Sequence, residues 1–286
     1  MKRNCKVISI FNQKGGTSKS TSTLNISTAL TFMQEEIFSK SINFKDRDLK
    51  KHPIKCLVID NDGQANTTYI LTNGKDDDDL EKGGYKTVND LFIDKSCDVE
   101  DVIYPSKFEN IDIIPSSIDH VYTDMQIITT VDNNRILLKK LKKIKEKYDF
   151  ILIDNPPSIS LTTYNSLMCA DTVIAPVESS VFSAKGLSNL INLIADMNSS
   201  RDEKLRLLSF LSKVDNRKAV KNVQTKKALE CAIGDSFIKN AHISMLSVYT
   251  DTLEDFETAV SINKNNTGCN EYTHLTKTIL ERMKVI

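Results

Sequence analysis

The sequence predicts an α/β fold in which a mainly parallel, twisted sheet carries helices on both faces. Three observations predict it. Short apolar runs alternate with amphipathic stretches of helical period along the chain, the pattern of βα repeats. The first apolar run leads directly into a Gly-containing loop and then a helix-forming stretch. The 286 residues are enough for one substantial core, and no internal repeat or Pro/Gly/Ser-rich linker divides them, so one domain over 1–286 is expected.

Cys5–Phe11 reads as a buried strand, and a helix is expected from about Lys19 to Met33. Residues 38–53 are polar, Lys-rich and without period, which reads as an insertion before a second strand at Lys55–Asp60. The run Asp76–Asp79 reads as a solvated acidic loop, and Thr87–Phe92 as a short capped helix. Ile111–Pro115 is a third strand. Val131–Lys147 has Ile136, Leu137, Leu141 and Ile144 on one face, so an amphipathic helix is expected there, its lysines read as a solvated face rather than a DNA site. Strands at Phe150–Asp154, Thr172–Pro176 and Leu205–Leu211 come next, with helices at Ser183–Met197 and Val220–Ala232. The last helix is Glu271–Lys284, with Tyr272, Leu275, Ile279 and Met283 in one stripe.

Composition narrows the function. There are 38 basic and 38 acidic residues, so any polyanion-binding surface must be a local patch. No apolar run approaches the ~20 residues of a membrane span, and Met1–Asn4 leads into the first strand rather than a signal peptide, so a cytoplasmic protein is expected. The six cysteines are scattered without a Cys-x-x-Cys pair, which reads as reduced and mostly buried thiols.

The chemistry is concentrated in three segments. Phe11-Asn-Gln-Lys-Gly-Gly-Thr-Ser-Lys-Ser-Thr21 lies between a strand and a helix, where backbone N–H groups and a helix N-terminus favour phosphate. Lys19 is placed to reach phosphates as a point charge, and the Ser20 hydroxyl to ligate Mg²⁺. Val58-Ile-Asp-Asn-Asp-Gly-Gln-Ala-Asn66 sets Asp60 and Asp62 at alternate positions at a strand's carboxyl end, toward a ligand crevice. Taken alone, that pair also fits an Asx-turn. Tyr148-Asp-Phe-Ile-Leu-Ile-Asp-Asn-Pro-Pro-Ser158 ends an apolar strand in Asp154, and two prolines stiffen the chain beyond it.

The generic Walker A pattern fails here at both glycines, because Asn12 and Ser18 stand in their places. The loop instead resembles the deviant Walker A of the ParA/MinD family of P-loop ATPases, Lys-Gly-Gly-x-Gly-Lys-Ser/Thr-Thr, from which only Ser18 departs. The second segment resembles that family's Asp-x-Asp-Pro-Gln with Gly63 for Pro, and the third its Walker B strand. The resemblance continues through Leu161, Asn165, Asp171, Pro176, Phe182 and Gly186-Leu187 to the final helix. It is closest to ParA/Soj-type DNA partition proteins without an N-terminal helix-turn-helix, since the loop begins within the first fifteen residues.

The resemblance implies a P-loop NTPase fold, ATP and Mg²⁺ as ligands, and slow, partner-stimulated hydrolysis. It implies that Lys14, Gly15, Gly16, Thr17, Ser18, Lys19, Ser20 and Thr21 cradle the nucleotide, with Lys14 reaching across a homodimer to the partner's ATP. Asp62 would position the attacking water, Asp60 would support the metal shell or the switch, and Ser20 and Asp154 would hold Mg²⁺. Asp215 or Asn216 would contact the base. A ParB-type centromere-binding adaptor is the implied partner, and a nucleoid-associated location the implied place. DNA would be bound without sequence preference by a basic window containing Arg217, Lys218, Lys221, Lys226 and Lys227, for which a solvated helix face is the alternative. A MinD-like membrane switch is the competing function, as is a nucleotide-binding regulator with little hydrolysis. The final helix is only mildly amphipathic in the membrane-binding sense, and a stripe packed on the sheet explains it better. At Ser18, a glycine would let backbone approach phosphate and tolerate positive φ; a serine there would narrow the loop or weaken binding, or be harmless if φ is negative.

Overall fold

A computed structural model describes residues 4–39, 41–44, 46–179, 183–199 and 201–286. Phe182 and the first three residues, both used in the sequence reading, lie outside these. Among the described residues, eight strands form one sheet: β1 (Lys6–Ile10), β2 (Cys56–Asp60), β3 (Tyr104–Pro105), β4 (Ile111–Ile114), β5 (Phe150–Asp154), β6 (Thr172–Glu178), β7 (Arg206–Val214) and β8 (Phe237–Ser244). Their order is β3-β4-β2-β5-β1-β6-β7-β8. Every pairing is parallel except the short β3 against β4.

The chain winds from β1 outward through β2 and β4, returns to place β5 between β2 and β1, then winds the other way through β6, β7 and β8. The crevice of such a sheet opens at the carboxyl ends of the strands where the winding reverses. The register levels these ends: Asp154 pairs with Ile10 on one side and Asp60 on the other.

Both faces of the central strands are buried, which is why they read as unbroken apolar runs. Val7, Leu57, Ile59, Ile151 and Ile153 enter one core layer, under the helices Val88–Ile93, Leu161–Cys169 and Ser183–Ser199. Ile8, Ile10, Val58, Phe150 and Leu152 enter the other, under the helices Lys19–Phe32 and Thr267–Arg282. The helix after the phosphate loop is buried although it is rich in hydroxyls. Thr23 and Thr28 donate to the carbonyls of Lys19 and Leu24 at 3.1 and 2.9 Å, and the Ser22 and Tyr272 hydroxyls meet at 3.2 Å. Local back-bonding satisfies these groups without water. The last helix buries Tyr272, Leu275, Ile279 and Leu280 in the same layer. Among the described residues no helix is long and apolar enough to cross a membrane.

Two expectations are corrected. The acidic run is not a loop: Asp76 caps a helix at Asp77–Lys82, accepting from the Asp79 N–H at 2.9 Å, and acid side chains suit a helix N-terminus. The helix expected over Val131–Lys147 is regular only at Ile136–Leu141. Asp132 has a left-handed backbone and the chain beyond Leu141 tightens into turns, with Ile144 N–H donating to Leu141 O. Its lysines form ion pairs: Lys139 with Asp132, Lys143 with Asp98, Lys147 with Glu100. β3 and β8 were missed; β8 alternates irregularly between buried and exposed positions at a sheet edge. Cys231 is exposed, unlike the other five cysteines.

Residues 38–53 contain a short 3₁₀ turn at Ile42–Phe44 and are tied to the sheet by Arg47. Its guanidinium binds Asp149 and the carbonyl of Pro53, and both charged side chains are buried.

Candidate functional site

A cavity of about 710 Å³ opens at the carboxyl ends of the strands. The loop after β1 supplies Gly15–Thr21, the segment after β2 supplies Asp62 and Asn66, and Pro157 lies just beyond β5. Lys213 and Arg217 come from the end of β7, and Met245, Leu246 and Tyr249 form an apolar wall beyond β8.

The loop is held from below. Asn12, in the place of a glycine, donates to the Pro176 carbonyl at 2.8 Å and accepts the Lys14 N–H at 3.0 Å. Ser212 donates to the Thr17 carbonyl at 3.0 Å. Ser18 lies in the left-handed region at φ 71°, ψ 32°, and makes no side-chain cap bond to the helix it begins. The harmless case of negative φ therefore does not hold. Gly16 has φ 74°, Ala65 φ 51° and Lys213 φ 51°, so loops after β1 and β2 and the end of β7 all carry left-handed residues. Such strain clusters where a site over-determines the backbone.

Lys19 is buried, and burial lowers its pKa while Asp154 and Asp62 raise it. Asp154 is almost fully buried. Its Oδ2 accepts from the Thr67 hydroxyl at 2.7 Å, whereas Oδ1 is buried with no hydrogen-bond partner. Burial raises the Asp154 carboxyl, against the Ser20 and Thr67 hydroxyls that favour the charged form. An orphaned carboxylate oxygen near a serine hydroxyl and a lysine fits a hard cation. No group of three or more His, Cys, Asp or Glu converges among the described residues. Mg²⁺ does not require one, since it is usually held by one or two carboxylates, waters and substrate phosphates. Ser20 and Asp154 are the residues that would hold it.

Asp60 and Asp62 differ in placement. Asp62 lines the cavity. Asp60 is fully buried behind it, taking the Thr68 N–H and hydroxyl at 2.7 and 2.8 Å and the Asp62 N–H at 3.2 Å. Burial and the neighbouring Asp154 raise its pKa. These bonds tie Asp60 to the segment that carries Asp62 and Thr68.

Lys14 is about half exposed and outside the cavity wall; its Nζ lies 2.6 Å from Glu178 Oε2. Asp215 is engaged by Arg217 and Lys218 at 2.9 and 3.5 Å, which holds its carboxyl well down, to about 2. Neither Asp215 nor Asn216 is among the residues lining the cavity; Lys213 and Arg217 are. Of the basic window, Arg217, Lys218 and Lys227 are exposed, and Lys221 and Lys226 half-buried.

Two further groups touch the site: Lys213, which the sequence places in the same basic window as Arg217, and His120, which it does not mark. Lys213 donates to the Gly16 carbonyl at 2.6 Å and is 3.8 Å from Glu178. His120 contacts the segment between Asp60 and Asp62, with Nε2 3.1 Å from Asn61 Oδ1.

Known proteins resemble this chain in sequence and fold. A family model described as AAA domain matches residues 39–207. The chain is 32% identical to the sporulation initiation inhibitor protein Soj of Bacillus subtilis over 189 residues, 66% of this chain and 64% of Soj, so less than two thirds of that relative is spanned. It is 25% identical to the chromosome partitioning protein ParA of Caulobacter vibrioides, over 80% of this chain and 77% of that one. Among solved structures, a plasmid partition protein of Borrelia burgdorferi bound to AMPPNP superposes with a TM-score of 0.73 at 21% identity, covering 98% of this chain and 100% of the other.

Proposed function

The chain belongs to the ParA/MinD family of P-loop ATPases, of the Soj type, and from that premise we propose that it is a Mg·ATP-dependent switch that partitions DNA. The observation that carries this reading is the site itself: Lys19 and Ser20 on the phosphate loop share one cavity with Asp62, and the buried Asp154 carboxylate, its Oδ1 unpaired, lies behind it beside Ser20 and Lys19.

The loop N–H groups and Lys19 hold the phosphates, and the apolar wall of Met245 and Leu246 receives the base. Mg²⁺, when bound, neutralises phosphate charge. Asp62 orients the attacking water, and phosphoryl transfer otherwise requires positioning and charge stabilisation. Lys14 leaves Glu178 and reaches the nucleotide of a second copy. The exposed ion pair it gives up is worth ~0–1 kcal/mol, little against charge neutralised in a closing interface. ATP thus joins the subunits of a sandwich dimer, and hydrolysis releases them.

In the dimer, Arg217, Lys218, Lys221, Lys226 and Lys227 form a salt-sensitive patch for DNA phosphates. A ParB-type adaptor stimulates hydrolysis, and the protein works at the nucleoid. Random duplex DNA is the test substrate. Retardation that requires Mg·ATP, together with phosphate release that rises with DNA, supports partition. Equal, negligible binding in both nucleotide states removes it, and nucleotide binding without phosphate release leaves a regulator.

A further inference from the structure

A chain of buried polar side chains joins the two loops that carry the carboxylates. Ser166 and Ser9 hydroxyls meet at 2.9 Å, and Asn155 donates to Ser9 Oγ at 3.0 Å. Asn61 donates to Asn155 Oδ1 at 3.0 Å, and its backbone N–H donates to the Asp154 carbonyl at 2.8 Å. Asn61 Oδ1 meets His120 Nε2, and His120 Nδ1 lies 2.9 Å from the Thr123 hydroxyl, which is 2.6 Å from Asn89 Oδ1. Ser9, Asn61, Asn155 and Thr123 are fully buried and His120 is 5% exposed.

The donors assign themselves. Asn61 uses its amide toward Asn155, so its oxygen must accept, and His120 Nε2 carries the hydrogen. Burial holds the imidazole neutral, its pKa pushed down to about 4, so Nδ1 carries no hydrogen and lies beside the Thr123 hydroxyl, which donates its own to Asn89 Oδ1. Two further contacts fix this segment. Gly63 admits it: a Cβ there would lie 2.7 Å from Val121 Cγ2 and 3.2 Å from Val121 N. Asp124 accepts the Leu161 and Thr162 N–H groups, each at 3.0 Å, at the start of the helix beyond Pro157.

We propose that His120 is a positioning residue for hydrolysis: through Asn61 and Asn155 it fixes the loop bearing Asp62 against the end of β5 bearing Asp154. Without the Nε2 hydrogen, Asn61 Oδ1 is a buried acceptor with no donor. Asn61 must then turn, which breaks its bond to Asn155 and moves the adjacent Asp62. This rests on the ATPase reading, so the test carries one readout that does not.

His120→Gln presents an amide where Nε2 lies, His120→Asn only where Nδ1 lies, and His120→Leu neither. For each, kcat and KM for Mg·ATP are measured, with amide hydrogen exchange over residues 60–66. His120→Leu and His120→Asn are expected to lower kcat about tenfold or more with KM within about threefold, and to speed exchange in that loop alone. His120→Gln stays within about threefold of wild type on both readouts. Should His120→Leu fail to fold, the Gln and Asn pair decides. Wild-type kcat and loop exchange in His120→Asn overturn the proposal, as does a Gln variant as impaired as Asn. A wild-type protein without hydrolysis refutes the ATPase reading, and loop exchange alone then judges His120.

Discussion

Replacing Ser18 by glycine stabilises the protein if the phosphate loop is as strained as its backbone indicates. Ser18 has φ 71° and ψ 32°. A side chain in the left-handed region costs ~1–2 kcal/mol. Glycine removes that cost, and its greater freedom in the unfolded chain returns ~0.4–1 kcal/mol of it. No cap is lost, because the Ser18 side chain makes no cap bond to the helix it begins. The net gain is about 0.5–1 kcal/mol, a rise in melting midpoint of roughly 2 °C for a chain of this size. Calorimetric melting of the nucleotide-free protein measures it. Ser18→Val is the opposite control, since a β-branched residue fits this backbone worse, and loses about 1 kcal/mol or more. A lower midpoint for Ser18→Gly, or an unchanged one for Ser18→Val, would refute the strain.

The remaining predictions concern the surroundings of the site. Arg47→Ala leaves Asp149 buried without its guanidinium, so chemical denaturation should show a loss of about 3 kcal/mol; a loss below about 1 kcal/mol would mean that residues 38–53 are not anchored there. Lys213→Ala frees the Gly16 carbonyl of a half-exposed, charge-assisted bond worth about 1 kcal/mol, so Mg·ATP should bind about fivefold more weakly by titration calorimetry; unchanged affinity would make the lysine a bystander. His120 has a folded pKa of about 4, below its ordinary 6.5. The unfolded chain thus binds the extra proton first, and stability present above pH 6.5 is lost as pH falls toward 4. The slope is about 1.4 kcal/mol per pH unit. Asp60 and Asp154, with raised values, act in the opposite sense. The difference between wild type and His120→Gln therefore isolates the histidine. A pH-independent difference over that range would contradict its burial as a neutral ring.

The central strands were legible because parallel strands buried on both faces must be apolar throughout, as Phe150–Asp154 is. The phosphate loop and Asp154 were legible because their residue types recur at fixed spacing. Asp60 and Asp62 share one short motif, yet only Asp62 lines the cavity, a difference set by Thr68 and invisible to spacing. The sign of φ at Ser18 depends on how Asn12 and Ser212 hold the loop from β6 and β7. Lys213 and His120 reach the site from segments remote in sequence; the basic window marks Lys213 only as a surface cation, and no local pattern marks His120. The acidic run misled because four aspartates suggest solvent, whereas a capping box turns them into a helix start.

The sedimentation of wild type and Lys14→Ala, each with and without saturating Mg·ATP, tests the two-copy clamp most directly. Wild type should shift from monomer to dimer on adding Mg·ATP, whereas Lys14→Ala should bind nucleotide and remain monomeric. A wild-type protein that binds Mg·ATP and stays monomeric, or a Lys14→Ala variant that dimerises as well as wild type, would contradict it.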